Sequence, residues 1–305
     1  MNSPPPAKTQ SAHPSRRRNR FFRSLLRALV ALLVAGCGAP VRHSGDRTEG
    51  RFVDGQTGRT ITREAASARL MEARLVYVGE RHDRPEDHAV QAHLATLAGA
   101  DGAPLALGFE MVSRPFQPVL DAYQEEHDEP ALIRGTEWDT RWGFDFAMYR
   151  PLLQLGMREH VHLYALNAPR EQTRAIAREG LEALEAAERA GLPELDLEDP
   201  AHRAMIAAAF EGHPHMDPAR LERFYAAQVV WDETMAETVA QVMSASTDVR
   251  MLVFAGVMHI QPSAIPARAA RRGAPEHRVL MPIREAELAD ALEAHSADVL
   301  FVTAE

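Results

Sequence analysis

From about residue 64 onward, short apolar runs alternate with amphipathic stretches, and few architectures accept that rhythm. The runs are Leu75–Gly79, Leu105–Phe109, Val161–Leu166, Met251–Ala255 and Val299–Val302, with a weaker one at Val279–Pro282. They are short and rich in Val, Leu and aromatic residues, which favours buried strands over helix fragments. Helical stretches lie between them. Asp83-Arg84-Pro85-Glu86 has the spacing of a capping box with Pro in the first turn, and it predicts a helix through about Leu97. Strands separated by helices imply right-handed parallel crossovers. The expected fold is α/β, a mostly parallel sheet flanked by helices. No strand pattern occurs between about residues 171 and 243, where Ala, Glu and Leu dominate. That span is too long for a bare connection, so a helical arm is expected before a late core strand.

The strand ends carry the chemical signal. The first run is followed by Gly79-Glu80-Arg81-His82, the second by Glu110-Met111, the third by Asn167-Ala168-Pro169-Arg170 and the fourth by Gly256-Val257-Met258-His259. Ligands of open parallel sheets bind outside the carboxyl ends of the strands. Glu80, His82, Glu110, Asn167 and His259 are therefore expected on one edge. Two carboxylates and two imidazoles there suit a divalent metal, proton transfer or a polar ligand. His88, two turns into the capped helix, could face the same edge, but alone it reads, like His93, as an ordinary helix-face residue. Trp138, Trp142 and Tyr149 read as packing residues. Tyr225, Gln228 and Asp232 share one helix face by their spacing. His213-Pro214-His215-Met216 is a second candidate ligand group at a break in the arm.

The N-terminal segment reads as an address. Residues 1–36 hold seven of the 34 Lys and Arg residues and none of the 43 Asp and Glu, so the remainder is near −16. An acidic remainder argues against nucleic acid as a partner, since phosphate contacts need clustered Lys and Arg. Residues 25–36 form an apolar run too short to span a membrane, behind a basic segment, as in a secretory signal. Val34-Ala35-Gly36-Cys37 resembles the lipobox of bacterial lipoproteins, and Cys37 is the only cysteine. The expected organisation is a signal peptide at 1–36, a flexible tether at 37–51 and a folded domain at 52–305. Export and lipid anchoring through Cys37 would place the domain on the periplasmic or cell-surface side of a bacterial membrane. With Cys37 so committed, no thiol nucleophile and no covalently attached c-type haem are expected. No nucleophile elbow, phosphate-binding glycine loop or H-E-x-x-H motif is present.

Several landmarks together resemble one family. They are Val78-Gly79-Glu80-Arg81-His82 with His88 and Gln91, Leu107-Gly108-Phe109-Glu110-Met111, and Trp142-Gly143-Phe144 with Tyr149-Arg150-Pro151. To these are added Ala165-Leu166-Asn167-Ala168-Pro169-Arg170, Gln228 with Trp231-Asp232-Glu233, and Ala255-Gly256-Val257-Met258-His259. The chain is similar to the ChaN-like haem-binding lipoproteins, in the superfamily of the Tiki/TraB proteins and erythromycin esterases. The resemblance implies an α/β domain with a helical arm, anchored at a membrane and engaged in haem or iron uptake. It also implies haem shared between two protomers of a homodimer and held through the arm. His213, His215 and Tyr225 suit that role, since imidazole and phenolate both ligate haem iron. Arg170 is a candidate partner for a haem propionate. The Gly-Glu-x-His and Gly-x-x-His pairs match the superfamily's metal or catalytic positions. An alternative function is thus a metal-dependent hydrolase, protease- or esterase-like, using Glu80, His82, Glu110 and His259. A scaffold without ligand chemistry is the third reading.

Overall fold

Alternation within the strands decides the two faces of the sheet. In a strand, successive side chains point to opposite sides. Val76 and Val78 thus join Leu107, Phe109, Leu252 and Phe254 on one face, and Leu75 and Tyr77 join Ala106, Met251 and Val253 on the other. Both faces are buried, as a parallel sheet requires.

The computed structural model describes residues 50–210 and 217–304. Its strands are β1 (Arg51–Asp54), β2 (Thr60–Ile61), β3 (Leu75–Glu80), β4 (Leu105–Ser113), β5 (Val161–Asn167), β6 (Arg250–Gly256), β7 (His277–Arg284) and β8 (Val299–Thr303). They form one eight-stranded sheet in the order β2-β1-β8-β7-β3-β6-β4-β5. Strands β3 to β8 are mutually parallel, and β1 runs antiparallel to both β2 and β8. The expected α/β fold with a mostly parallel sheet is the observed one.

Two departures have physical reasons. The β1–β2 ribbon was not expected, because four and two residues of mixed polarity carry little strand signal; β1 exists through its pairing with β8. Arg51 therefore belongs to a strand, not to the tether. The helix expected from Asp83 begins as α2 (Pro85–Ala98), where α1 is Arg63–Leu70, but no capping box forms. Arg84 is the N-cap and makes no side-chain cap bond. Asp87 instead accepts from the Arg81 amide at 2.9 Å and from its guanidinium at 2.7 Å, fixing the turn after β3.

Helices α3 (Gln117–Glu126), α4 (Glu129–Gly135), α5 (Trp138–Arg141) and α6 (Phe146–Leu153) connect β4 to β5. The arm lies between β5 and β6. It comprises α7 (Arg170–Glu179), α8 (Ala186–Ala190), α9 (Pro200–Ala209) and α10 (Pro218–Ala245), with no strand among its described residues. On α9, Met205, Ile206 and Ala209 pack with Tyr225 and Val229 of α10. Further along α10, Met235, Ala236, Val239 and Met243 enter the core on the Tyr77 face of the sheet. Helix α11 (Ile265–Arg271) packs beside them, and α12 (Leu288–Glu293) precedes β8. No helix among the described residues is long and apolar enough to cross a membrane. The expected signal peptide at 1–36, Cys37, the expected tether up to residue 49, and His213 and His215 lie outside the described residues.

Candidate functional site

Glu80 is the last residue of β3, and it is fully enclosed. A buried carboxylate must be satisfied by donors. Three groups do so. His82 Nδ1 lies 2.7 Å from Oε1, the Tyr149 hydroxyl donates to the same oxygen at 2.6 Å, and Gln91 Nε2 donates to Oε2 at 2.9 Å. His88 supports this set through Gln91 Oε1 at 3.1 Å. Burial would push the Glu80 carboxyl up, but the imidazoles of His88 and His82 and the Tyr149 hydroxyl outweigh it and hold it below its ordinary value. Burial would lower His82, yet its bond to Glu80 and the charge of Glu110 raise it. The His82 ring meets Trp142 edge-on at 4.7 Å and Phe144 at 5.2 Å.

Glu110 lies within β4, not beyond it, where the register with β5 shifts between Phe109 and Ser113. Such irregularities re-aim side chains beside sites. Glu110 Oε2 accepts from the Gly256 amide at 2.6 Å, and Oε1 lies 3.4 Å from His259 Nε2. Asn167 donates to the Glu110 carbonyl at 3.0 Å, so it positions the backbone. A side chain at Gly256 would have to displace His82. A Cβ there would stand 2.8 Å from His82 Cε1 and 3.0 Å from His82 Nε2. The His82 ring, Glu110 and the Gly256 backbone thus share one small space.

His259 is held from the other side. Its Nδ1 lies 2.5 Å from Asp232 Oδ1 on α10, and its ring meets Trp231 edge-on at 5.9 Å. Asp232 Oδ2 accepts from His202 Nε2 on α9 at 2.8 Å. Burial alone would depress His259, but Glu110 and Asp232 overcome it and raise it to about 9. The two imidazoles in turn hold the Asp232 carboxyl well below the usual carboxylate range, against the effect of burial. The result is two carboxylate–imidazole dyads, Glu80–His82 and Asp232–His259, facing Glu110.

Of the five strand-end residues expected on one edge, Glu80, His82, Glu110 and His259 bring their side chains together, and Asn167 joins them through the Glu110 carbonyl. Tyr149, Asp232 and His202 were not foreseen as members, because their partners lie far away in sequence. A signal existed for Asp232: it is a charged residue at helical spacing from Val229, Met235 and Ala236, which are buried on α10. Two other candidates stand elsewhere. The Arg170 guanidinium donates to the Thr140 carbonyl, so its reach carries it away from Asn167. Tyr225 is buried, lies under the Arg203 guanidinium at 4.1 Å and bonds to the Asp199 carbonyl at 3.4 Å. Burial pushes its phenol up to about 12, which disfavours the phenolate that would ligate iron. The divalent-metal expectation also fails on geometry. Among the described residues no group of three or more His, Cys, Asp and Glu is arranged to hold a metal ion. Glu80 and Asp232 are engaged by the imidazole Nδ1 atoms instead.

The family described as "Haem-binding uptake, Tiki superfamily, ChaN" matches residues 66–268. No curated protein matches the chain. Among solved structures, the ChaN protein of Campylobacter jejuni, reported with cofacial haem binding, superposes with a TM-score of 0.64 at 14% identity. That match covers 83% of this chain and 96% of the other, and it shows a shared fold. An erythromycin esterase, EreC, in an open conformation matches at 15% identity over 76% of each chain, with a TM-score of 0.43, too low to carry an argument. The family match spans the ends of β3, β4, β5 and β6, from the helix before β3 into α11. The chain belongs to the ChaN family of haem-binding uptake proteins in the Tiki superfamily.

Proposed function

We propose that this protein binds haem and serves in its uptake or handling, as an exported lipoprotein anchored through Cys37. The family match over residues 66–268 carries the reading. The donor chemistry of the arm fits haem in part. His213 and His215 occupy the span between Phe210 and Asp217 and supply imidazoles of the kind that ligate haem iron. Beside that span, Phe210 pairs with Phe224 at 5.1 Å, and the Arg220 guanidinium lies over Phe224 at 5.9 Å. Aromatic faces and a cation suit a porphyrin and its propionates. Tyr225 fits poorly, being enclosed under Arg203. A haemin titration of the full chain tests the reading. A Soret shift saturating at stoichiometric haemin is expected, weakened by His213→Ala with His215→Ala and retained in Tyr225→Phe. No spectral change in the wild type would sink it. Sedimentation with and without haemin tests the two-protomer arrangement that the resemblance implies.

One observation favours a second reading, an acid–base hydrolase without a metal. His82 and His259 each rest Nδ1 on a buried carboxylate, which orients the ring for proton transfer through Nε2, beside Glu110. Glu110 would take a proton from an attacking water, and the imidazoles would protonate the leaving group. Turnover of an activated ester or a peptide, lost in Glu80→Gln and His259→Ala, is the expected result. An inert wild type would remove this reading without touching the first.

A further inference from the structure

Asp232 is 1% exposed and His202 is fully buried, and together they join the arm to the strand-end site. Each Asp232 oxygen takes one donor: Oδ1 takes His259 Nδ1 at 2.5 Å and Oδ2 takes His202 Nε2 at 2.8 Å. Two donors at opposite ends fix the plane of a carboxylate, whereas one leaves it free to swing. His202 Nδ1 is buried and meets no hydrogen-bond partner among the described residues, so Asp232 is the one polar anchor of the ring there. The ring also meets that of Tyr225, at 5.5 Å. His202 belongs to α9, the other two to α10 and to the turn after β6. Among the described residues the second dyad, Glu80–His82, has no such link to the arm; its supports come from α2 and α6.

We propose that His202 is a positioning residue for His259, acting through Asp232, so that docking of the arm helix α9 assembles one half of the strand-end site. The inference rests on neither functional reading. Without His202, one oxygen of a buried carboxylate loses its donor and the group turns or draws in water. Its bond to His259 then loosens, and the ring is no longer set against Glu110. The linkage is reciprocal. Whatever holds His259 in place also favours the docked α9, while the Glu80–His82 half stands independently.

Proton-detected spectra of the full chain with 15N-labelled histidine test this. The wild type should show two downfield Nδ1–H resonances, His82 on Glu80 and His259 on Asp232, assigned with His82→Gln and His259→Gln. His202→Phe keeps the bulk but removes the donor, and should broaden or abolish the His259 resonance while the His82 resonance persists. His202→Gln restores a donor and should restore the signal. Asp199→Ala removes the cap that accepts from the Ala201 and His202 amides, and leaves the side chains of His202, Asp232 and His259 unchanged. It should speed amide exchange in residues 201–209 about fivefold and weaken the His259 resonance in step. A His259 resonance unchanged in His202→Phe, with faster exchange in α9, overturns the proposal by leaving His202 as a mere pin. Loss of both resonances together overturns it as general loosening. Should His202→Phe not fold, an unchanged His259 resonance in Asp199→Ala does the same.

Discussion

The Tyr149 hydroxyl donates to Glu80 Oε1 at 2.6 Å, from a helix 69 residues further along the chain. The bond supplies a donor that β3 alone does not, to a carboxylate that is 1% exposed. Tyr149→Phe keeps the ring that packs on His88 and Trp138 and removes only the donor. The expected cost is about 1–3 kcal/mol, read from urea midpoints. A loss well under 0.5 kcal/mol, on the order of experimental scatter, would show that His82 and Gln91 suffice.

Stability should depend on pH in two opposite ways. His259 has a folded value near 9 against an ordinary 6.5, so its contribution is complete below pH 6.5 and is lost as pH rises through 9. His82 is raised as well and acts in the same direction. Asp232 and Glu80 are lowered from 3.8 and 4.5, so their contributions are present above those values and vanish as pH falls below them. Stability from this cluster is thus greatest between about pH 4.5 and 6.5. The alkaline fall attributable to His259 is on the order of 3 kcal/mol. Denaturant midpoints from pH 5 to 9 should decline in the wild type and flatten in His259→Gln. A flat wild-type profile above pH 6 would contradict the assignment.

Tyr77 offers a gain. Its side chain is buried in the centre of the sheet, and its hydroxyl meets no hydrogen-bond partner among the described residues. Burial raises the phenol strongly, so it stays neutral and pays a desolvation cost. Tyr77→Phe should raise stability by about 1 kcal/mol, seen as a higher melting temperature. A lower melting temperature would mean that the hydroxyl is satisfied in solution.

The outer edge of the sheet is β5, and two glutamines of α3 close it. Gln117 donates to the Leu163 carbonyl at 2.8 Å and accepts from the Ala165 amide at 2.7 Å. Gln124 donates to the Val161 carbonyl at 2.7 Å and accepts from the Leu163 amide at 3.0 Å. Side-chain amides here take the place of a ninth strand. Gln117→Leu with Gln124→Leu should destabilise by about 1 kcal/mol per residue and bare an edge that pairs with other chains. Light scattering should report concentration-dependent association beyond that of the wild type. An unchanged assembly state and midpoint would refute the role.

Six strands were legible because their apolar runs exceed what a loop tolerates, and β1 and β2 were not, because tertiary pairing creates them. Glu80, His82, Glu110 and His259 were legible because strand ends in a parallel sheet share an edge whatever the connections do. His202 and Tyr149 were hidden, since helix faces reveal spacing but not which distant element they meet. Arg170 shows the opposite limit: a strand end locates the backbone, while a long side chain is free to reach elsewhere, here to Thr140.

Helix α10 has 28 residues and, after Pro218, no Gly or Pro at which to kink. It is about 42 Å long. One end carries arm residues such as Phe224 and Tyr225, Asp232 lies near the middle, and the other end is clamped under the sheet by Val239 and Met243. Such a rod has no hinge of its own. Its arm end is packed against α9 through Tyr225 and Val229, so one rigid element sets the spacing from the arm, past Asp232, to the sheet.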